Sequence, residues 1–201
     1  MNILVACEYS GVVREAFRAQ GHKVISCDLL PTDQPGAHIE GDVTPWLSHF
    51  PWDMVIAFPP CTHLSVSGAK HFAAKRLDGR QQKGIDFFMQ FTNLSHVPKI
   101  AIENPIGIMS TEWRKPDQII QPYMFGDPYT KTTCLWLKGL PPLVPTNIVD
   151  KGARHITKSG KSLPQWYHEL PADANRGQAR GKTFEGIAQA MAQQWAGGIT
   201  Y

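Results

Sequence analysis

The chain has 201 residues, of which 42% are hydrophobic, so it can bury a sizeable core and its length fits one domain. A formal net charge of +3 permits contact with phosphate groups but does not by itself indicate a nucleic-acid-binding protein. No apolar run approaches the ~20 residues that a membrane-spanning helix needs, and the first segment, MNILVACE, lacks the basic flank of a secretory signal. We therefore expect no membrane association.

The cysteines indicate a reducing compartment. None of them forms a C-x-x-C pair, so no disulfide framework or cysteine-based metal site is expected. The sequence thus predicts a cytoplasmic protein without a bound metal. The four positions are Cys7, Cys27, Cys61 and Cys134.

The N-terminal half alternates between strand and helix patterns. Residues 2–7 form a continuous apolar run that ends at Tyr-Ser-Gly, and residues 12–22 then place apolar side chains at helical spacing until Gly21. Three further apolar stretches predict strands, at 23–29, 39–43 and 52–57.

The next segment continues this alternation. Residues 63–80 are polar and predict a long loop, 81–95 predict a helix, and 99–104 (KIAIEN) predict a strand. Repeated strand–helix units favour a doubly wound α/β fold with a mostly parallel sheet.

The C-terminal part does not continue the alternation of strands and helices. Residues 116–145 are rich in proline and aromatic residues and predict a strand pair in which TCLWLKG is one arm. Residues 150–182 carry seven Lys or Arg against three acids, which fits either a phosphate-contacting surface or an ordinary solvated loop. Residues 183–198 predict a helix that packs one apolar stripe on the core. No linker is evident, so residues 1–201 form one predicted domain.

Ligands of an open α/β sheet bind outside the carboxyl ends of its strands, and candidate polar residues fall there. Tyr9-Ser10-Gly11 forms a turn in which glycine permits close approach to a ligand. Asp28, at the end of the second strand, could accept the hydroxyls of a ribose, and Asp42 could accept an exocyclic amine of adenine. A structural turn remains an alternative interpretation for each of them.

The stretch FPPC, residues 58–61, follows another strand. Two prolines fix the backbone and leave little conformational freedom to the residue after them. A cysteine held in this way can act as a nucleophile, whereas Cys7, Cys27 and Cys134 fit the role of small buried apolar residues. A reactive Cys61 needs either a proton acceptor or positive charge nearby, and His63, Lys70 and His71 in the following loop are candidate sources.

A carboxylic acid interrupts the strand KIAIEN at its carboxyl end. Burying Glu103 there is costly unless the group has a function. One reaction needs a thiol, an acid and a nucleotide-type cofactor together: methylation of a pyrimidine at C5. The thiolate adds to C6, the acid interacts with N3, and C5 then attacks the methyl group of S-adenosylmethionine.

These residues resemble the motifs of the C5-cytosine DNA methyltransferases. FPPC resembles the catalytic Pro-Cys motif of that family, ENP resembles its Glu-Asn-Val motif, and Tyr9-Ser10-Gly11 resembles its Phe-x-Gly turn. The resemblance covers residues 1–107 and implies a Rossmann-like methyltransferase fold, S-adenosylmethionine as cofactor and DNA as partner. It implies catalytic roles for Cys61 and Glu103. The other implied positions are Tyr9, Ser10, Gly11, Asp28, Asp42 and Pro59 for the cofactor, and Pro60, Asn104, Lys131 and Arg180 for the substrate.

The chain departs from that family in three places. Val13 and Arg14 stand where the family has further glycines, and Lys131 alone stands at the place of its Gln-x-Arg-x-Arg motif. The segment 139–182 is short for a target-recognition domain and is predicted to be a minimal substrate-recognition segment. A free pyrimidine nucleotide as substrate, or a non-catalytic relative that binds nucleic acid or cofactor, remain alternatives.

Overall fold

The computed structural model describes residues 1–48, 50–170 and 176–197. Its strands are β1 Asn2–Ala6, β2 Lys23–Asp28, β3 His38–Glu40, β4 Met54–Ala57, β5 Lys99–Pro105, β6 Gln118–Ile120, β7 Thr133–Lys138, β8 Arg154–Ile156 and β9 Ser162–Pro164. Its α-helices are α1 Val12–Ala19, α2 Thr44–Ser48, α3 Phe72–Leu77, α4 Arg80–Thr92, α5 Met109–Glu112, α6 Gln165–Glu169, α7 Arg176–Gly181 and α8 Glu185–Met191. Short 3-10 helices cover Val66–His71 and Pro122–Met124, and a π-helical turn covers Ala192–Ala196.

Within the described ranges, seven strands form one sheet in the order β3-β2-β1-β4-β5-β7-β6. The strands β3, β2, β1, β4 and β5 are parallel, whereas β7 is antiparallel to both of its neighbours. This confirms the predicted doubly wound, mostly parallel α/β fold. It also confirms the predicted strand pair, because β6 and β7 are its two arms.

Both faces of the sheet are covered by helices, as the continuous apolar strands predict. On one face, α4 buries Phe88 and Phe91 against β1, β4 and β5. On the other face, α1 and α8 bury Phe17 and Met191. The predicted apolar stripe of the last helix is buried here, while Gly198 at its predicted end lies outside the described residues.

Two sequence predictions of secondary structure need correction, those of a loop at 63–80 and of the third strand, whereas the end of the first helix before Gly21 is as predicted. The predicted loop 63–80 contains the 3-10 helix Val66–His71 and helix α3. The first helix ends at Ala19, before Gly21 at φ 82°. The third strand is shorter than predicted and ends at Glu40, so Asp42 lies in the turn that follows it.

None of the helices in the described ranges is long and apolar enough to span a membrane. The predicted segment 139–182 contains the antiparallel hairpin β8–β9, α6 and α7, and its residues 171–175 lie outside the described residues. The hairpin was missed from the sequence because each of its strands has only three residues.

Candidate functional site

The sheet order creates a crevice between β1 and β4. The chain runs from β1 outward to β2 and β3 and then returns to β4 on the other side of β1. The loops after β1 and β4 therefore diverge, and such a switch point is where open α/β sheets bind ligands. A small cavity of about 20 Å³ lies there, between the turn after β1 and the segment Gly181–Thr183. A larger groove of about 420 Å³ runs between α1 and α8 and contains none of the predicted site residues.

The turn after β1 is organised by an acid that the sequence interpretation missed. Glu8 is only 4% exposed, and one of its carboxylate oxygens accepts hydrogen bonds from the Val13 amide at 2.7 Å and from the Ser10 hydroxyl at 3.2 Å. Gly11 enables this turn with φ 74°. Like Glu103, Glu8 interrupts an apolar stretch at a strand end, so the same argument from burial could have identified it.

Two buried polar atoms at this crevice have no hydrogen-bond partner among the described residues. They are the second carboxylate oxygen of Glu8 and the hydroxyl of Tyr9. Burial raises the pKa of both groups, although the hydrogen bonds from Val13 and Ser10 oppose this effect for Glu8. Because buried polar atoms are usually paired, these two atoms point to a polar ligand.

The Glu8 carboxylate also decides which ligands suit the crevice. A free helix N-terminus would favour a phosphate group, but in α1 the Val13 amide is already bound by Glu8. A second anion there would face the Glu8 carboxylate. The crevice therefore offers acceptor atoms to a ligand that brings hydrogen-bond donors.

Arg14 explains how this turn functions without a second glycine. Its side chain is fully buried and points toward the loop after β2, where it donates to Ser26 at 2.9 Å and to the Gln34 carbonyl at 2.6 Å. The Arg14 guanidinium also lies close to Gly11 and Gly36. A Cβ atom added at either glycine would lie only 2.8 Å from a guanidinium nitrogen, so a larger residue would not fit there. Arg14 thus fixes the loop 29–37 over the turn and does not enter the crevice.

The two predicted acids lie near each other at the crevice. Asp28 is half-buried and accepts from the Leu30 amide at 3.0 Å, and burial raises its pKa. Asp42 is exposed and accepts from the Thr44 amide at 2.8 Å, which lowers its pKa. The charges of both acids raise the pKa of Cys7, after the larger effect of burial, so both lie near the end of β1. Asp42 therefore also forms the structural turn that was its alternative interpretation.

The Pro-Pro turn after β4 is fixed from beneath. Asn104 is 1% exposed and its side-chain amide donates to the Pro59 carbonyl at 2.7 Å, while Pro60 is exposed. Cys61 follows as a half-buried residue, and its carbonyl accepts from the amide of Ser65 at 2.9 Å. Cys61 is thus held at the edge of the sheet. Asn104 supports the Pro-Pro turn in this structure.

Glu103, on β5, lies close to Cys61, which follows the neighbouring strand β4. Burial raises the pKa of Glu103, opposed by the charge of Lys131 and a hydrogen bond with Thr133. Burial also raises the pKa of Cys61, and the Glu103 carboxylate raises it further, whereas Lys131 and Lys75 lower it. The positive charge at the thiol therefore comes from Lys131 and Lys75. His63, Lys70 and His71 are not among the charged groups that shift the pKa of Cys61, and their role as a proton acceptor or source of charge stays a prediction.

Two of the other three cysteines are buried as predicted, and the third, Cys7, is partly exposed. Cys27 and Cys134 are buried, and burial raises the pKa of each thiol to about 11. Cys7 is partly exposed with φ 58°, and its pKa is also raised by burial.

A strap of chain, Gly181–Thr183, closes the crevice. Lys182 forms an ion pair with Asp33 at 2.6 Å, and its ammonium lies 5.7 Å from the centre of the Tyr9 ring. The Lys182 carbonyl accepts from the Lys131 ammonium at 3.1 Å. The strap thus lies between the crevice after β1 and Lys131, whose charge acts on Cys61.

An aromatic cluster joins the segment 139–182 to this strap. Trp166 packs against Tyr129 and Phe184 with ring centres 6.0 and 5.5 Å apart. Arg180, a predicted substrate residue, stacks on Tyr167 at 3.6 Å. Among the described residues, no group of three or more His, Cys, Asp and Glu is placed to hold a metal ion.

Two solved structures resemble this one. A prophage-encoded protein of E. coli described as a DNA modification methyltransferase has a TM-score of 0.50 at 17% identity, over 75% of this chain and 52% of that chain. The Entamoeba histolytica methyltransferase EhMeth has a TM-score of 0.51 at 14% identity, over 74% of this chain and 57% of that chain.

This chain therefore spans a little over half the length of these methyltransferases. No protein-family model and no curated protein matches the sequence. At such low identities, the likeness establishes the fold, and the chain has the predicted Rossmann-like fold of these methyltransferases.

Proposed function

We propose that the protein is an S-adenosylmethionine-dependent methyltransferase that modifies C5 of cytosine in DNA through a covalent bond between Cys61 and C6. One observation carries the proposal: Cys61 follows β4 and Glu103 lies on the neighbouring strand β5, close enough for its charge to act on the thiol, next to the crevice at the switch point of a sheet with the fold of the methyltransferases. A structural thiol and a structural carboxylate would gain nothing from this arrangement, because the charge of Glu103 disfavours the Cys61 thiolate.

The crevice provides acceptors for the cofactor. Asp28 would bind the ribose hydroxyls, Asp42 an amine of the adenine, and Glu8 a cationic group, with Tyr9, Gly11 and Pro59 beside them. When bound, S-adenosylmethionine supplies an electrophilic methyl group. Because the present cavity holds only about 20 Å³, cofactor entry requires the strap Gly181–Thr183 to move.

The pair of Cys61 and Glu103 explains how the thiol becomes reactive. While Glu103 is ionised, its charge raises the pKa of Cys61. A protonated Glu103 carries no such charge and can donate a hydrogen bond to N3 of cytosine. Burial of Glu103 favours this neutral form. Binding of the base and activation of the thiol would therefore occur together.

The reaction itself conserves atoms and charge. The Cys61 thiolate forms a bond to C6, and the electrons of the C5–C6 double bond move toward N3, where Glu103 donates its proton. C5 would then form a bond to the methyl group that S-adenosylmethionine supplies, while the bond between that carbon and the donor sulfur breaks. N3 returns its proton to Glu103, a base removes the C5 proton, the C5–C6 double bond re-forms, and the bond between Cys61 and C6 breaks to release the thiolate.

DNA is the proposed substrate because basic and aromatic residues lie beside this pocket. Lys131 borders it, and Arg154, Trp166 and Arg180 belong to the adjoining segment 139–182. A base must leave the duplex to reach a half-buried thiol, and aromatic and Arg side chains suit an extruded or single-stranded nucleotide.

A free pyrimidine nucleotide is the second candidate. The observation that favours it is the small size of the segment 139–182, whose hairpin has two three-residue strands. In that case the basic residues would bind a single phosphate group.

Incubation with labelled S-adenosylmethionine tests the proposal. Duplex DNA, single-stranded DNA, dCMP and dUMP are offered separately, and the methylated product is identified by mass spectrometry. DNA that contains 5-fluorocytosine should trap the adduct, because the fluorine cannot leave as a proton, and the bond should map to Cys61. Cys61→Ser should abolish turnover. An adduct on Cys7, Cys27 or Cys134, or methylation by Cys61→Ser, would refute the mechanism, and cofactor binding without transfer would indicate a non-catalytic relative.

A further inference from the structure

Helix α3 buries a lysine where an apolar residue would be expected. All six residues of α3 are described by the structure, and Lys75 alone among them is buried, with 8% of its surface exposed. Burying an ammonium group costs free energy unless it is paired or hydrogen-bonded. The neighbourhood of Lys75 should therefore explain its burial.

The lysine binds the backbone directly after the candidate nucleophile. Its ammonium donates to the Thr62 carbonyl at 2.6 Å. The next carbonyl, that of His63, accepts from the Gln81 side chain at 3.2 Å, and Gln81 in turn accepts from Arg76 at 2.8 Å. Side chains from α3 and α4 thus hold two successive carbonyls after Cys61.

One carbonyl uses only one of the three donors of an ammonium group. The charge of Lys75 also acts on the Cys61 thiol and lowers its pKa, in the same direction as Lys131 and against Glu103. A carbonyl would be held equally well by a neutral donor, so the charge itself points to an anion that forms nearby.

We propose that Lys75 is a positioning residue for Cys61, which orients the turn through the Thr62 carbonyl and stabilises the thiolate by its charge. This inference rests on the proposed role of Cys61 as nucleophile. It adds a second cation to Lys131, supplied by α3 and not by the segment before β7.

Alkylation of Cys61 by iodoacetamide tests the inference without cofactor or substrate. The thiolate displaces iodide and its proton goes to the buffer, so the rate at each pH reports the thiolate fraction. The full-length protein is used, and the modified peptide is identified by mass spectrometry so that only Cys61 is counted. Lys75→Gln removes the charge but keeps a donor, Lys75→Arg keeps the charge, and Lys70→Gln is the matched control for an exposed lysine of the same segment.

Lys75→Gln should shift the midpoint of the alkylation profile to higher pH and slow alkylation at pH 7.5, because the charge that lowers the pKa of Cys61 is lost. Lys75→Arg and Lys70→Gln should stay close to the wild type. Thermal unfolding of each variant checks that the fold is intact, and Lys75→Met, which fills the space without a donor, provides a second neutral variant. A wild-type midpoint in a folded Lys75→Gln or Lys75→Met would overturn the inference. Because this test needs no methyl transfer, its failure is distinct from failure of the proposed function.

Discussion

Lys182 and Asp33 are 149 positions apart in the sequence, yet their side chains form an ion pair of 2.6 Å across the crevice. The pair holds the strap Gly181–Thr183 over the turn after β1, and the amide of Asp33 also donates to the Tyr9 carbonyl at 2.9 Å. Two separate segments of the chain are thereby fixed to the same turn. The ion pair is half exposed, so it can open at a small cost in free energy.

Lys182→Ala should therefore speed cofactor exchange. An exposed ion pair contributes up to about 1 kcal/mol, which corresponds to a rise of up to about fivefold in both the association and dissociation rates of S-adenosylmethionine. Stopped-flow fluorescence of the tryptophans measures these rates, and Lys158→Ala serves as the control for the loss of an exposed charge. Rates equal to those of the wild type would show that the strap does not limit entry.

Asp28 and Asp42 should differ in their effect on cofactor binding. Asp28→Ala removes acceptors that are half-buried, and the loss of a charge-assisted hydrogen bond costs about 1.5 to 3 kcal/mol, so calorimetry should show binding weakened by at least about tenfold. Asp42→Ala should weaken binding less, because Asp42 is exposed and already accepts from the Thr44 amide. Unchanged affinity in Asp28→Ala would remove Asp28 from the site.

The dependence of binding affinity on salt concentration distinguishes the two candidate substrates, DNA and a free nucleotide. If the segment 139–182 contacts a polyanion, the affinity for duplex DNA should fall steeply and linearly in log–log form as salt rises, whereas binding to one nucleotide phosphate should give a shallow dependence. Fluorescence anisotropy with labelled duplex measures the slope of log affinity against log salt concentration. Lys161→Ala in the β8–β9 turn should reduce the magnitude of this slope by about one. A flat response would favour the free nucleotide.

The sequence predicts the fold well but only part of the site. Continuous apolar runs identify strands β1, β2, β4 and β5, because buried parallel strands need apolar side chains on both faces. The predicted ends of β1, β2 and β3 place Gly11, Asp28 and Asp42 near one another, since parallel strands end at one edge of a sheet. These local patterns need no knowledge of distant contacts.

Other parts of the site depend on contacts between distant segments. In the sequence, Arg14 is only a departure from a glycine-rich turn. In the structure its side chain is buried against a loop some 20 residues later in the chain. Lys182 pairs with Asp33, which lies near the other end of the sequence. Lys75 belongs to a segment that the sequence predicts to be a polar loop, yet it is buried in the structure. No local pattern reveals these pairings, because they arise only when the helices pack on the sheet.

Glu103→Gln should separate the two roles of that acid. The substitution removes a negative charge that raises the pKa of Cys61, so alkylation of Cys61 at pH 7.5 should become faster than in the wild type. Methyl transfer should nevertheless fall by roughly 10² or more, the usual contribution of a positioned general acid, because an amide cannot deliver a proton to N3. Glu112→Gln, an exposed acid in α5, is the control.

The same variant has a defined effect on stability. Burial raises the pKa of Glu103 above its ordinary value of 4.5, so between 4.5 and the raised value the folded state binds a proton that the unfolded state has lost. The free energy of unfolding of the wild type therefore falls as pH rises through this window, and this part of the fall is absent in Glu103→Gln. Urea unfolding at pH 4.5 and pH 7 should show the variant gaining stability relative to the wild type as pH rises. If the difference between the two proteins is the same at both pH values, Glu103 is not held in a desolvated pocket, and its proposed role as proton donor loses its physical basis.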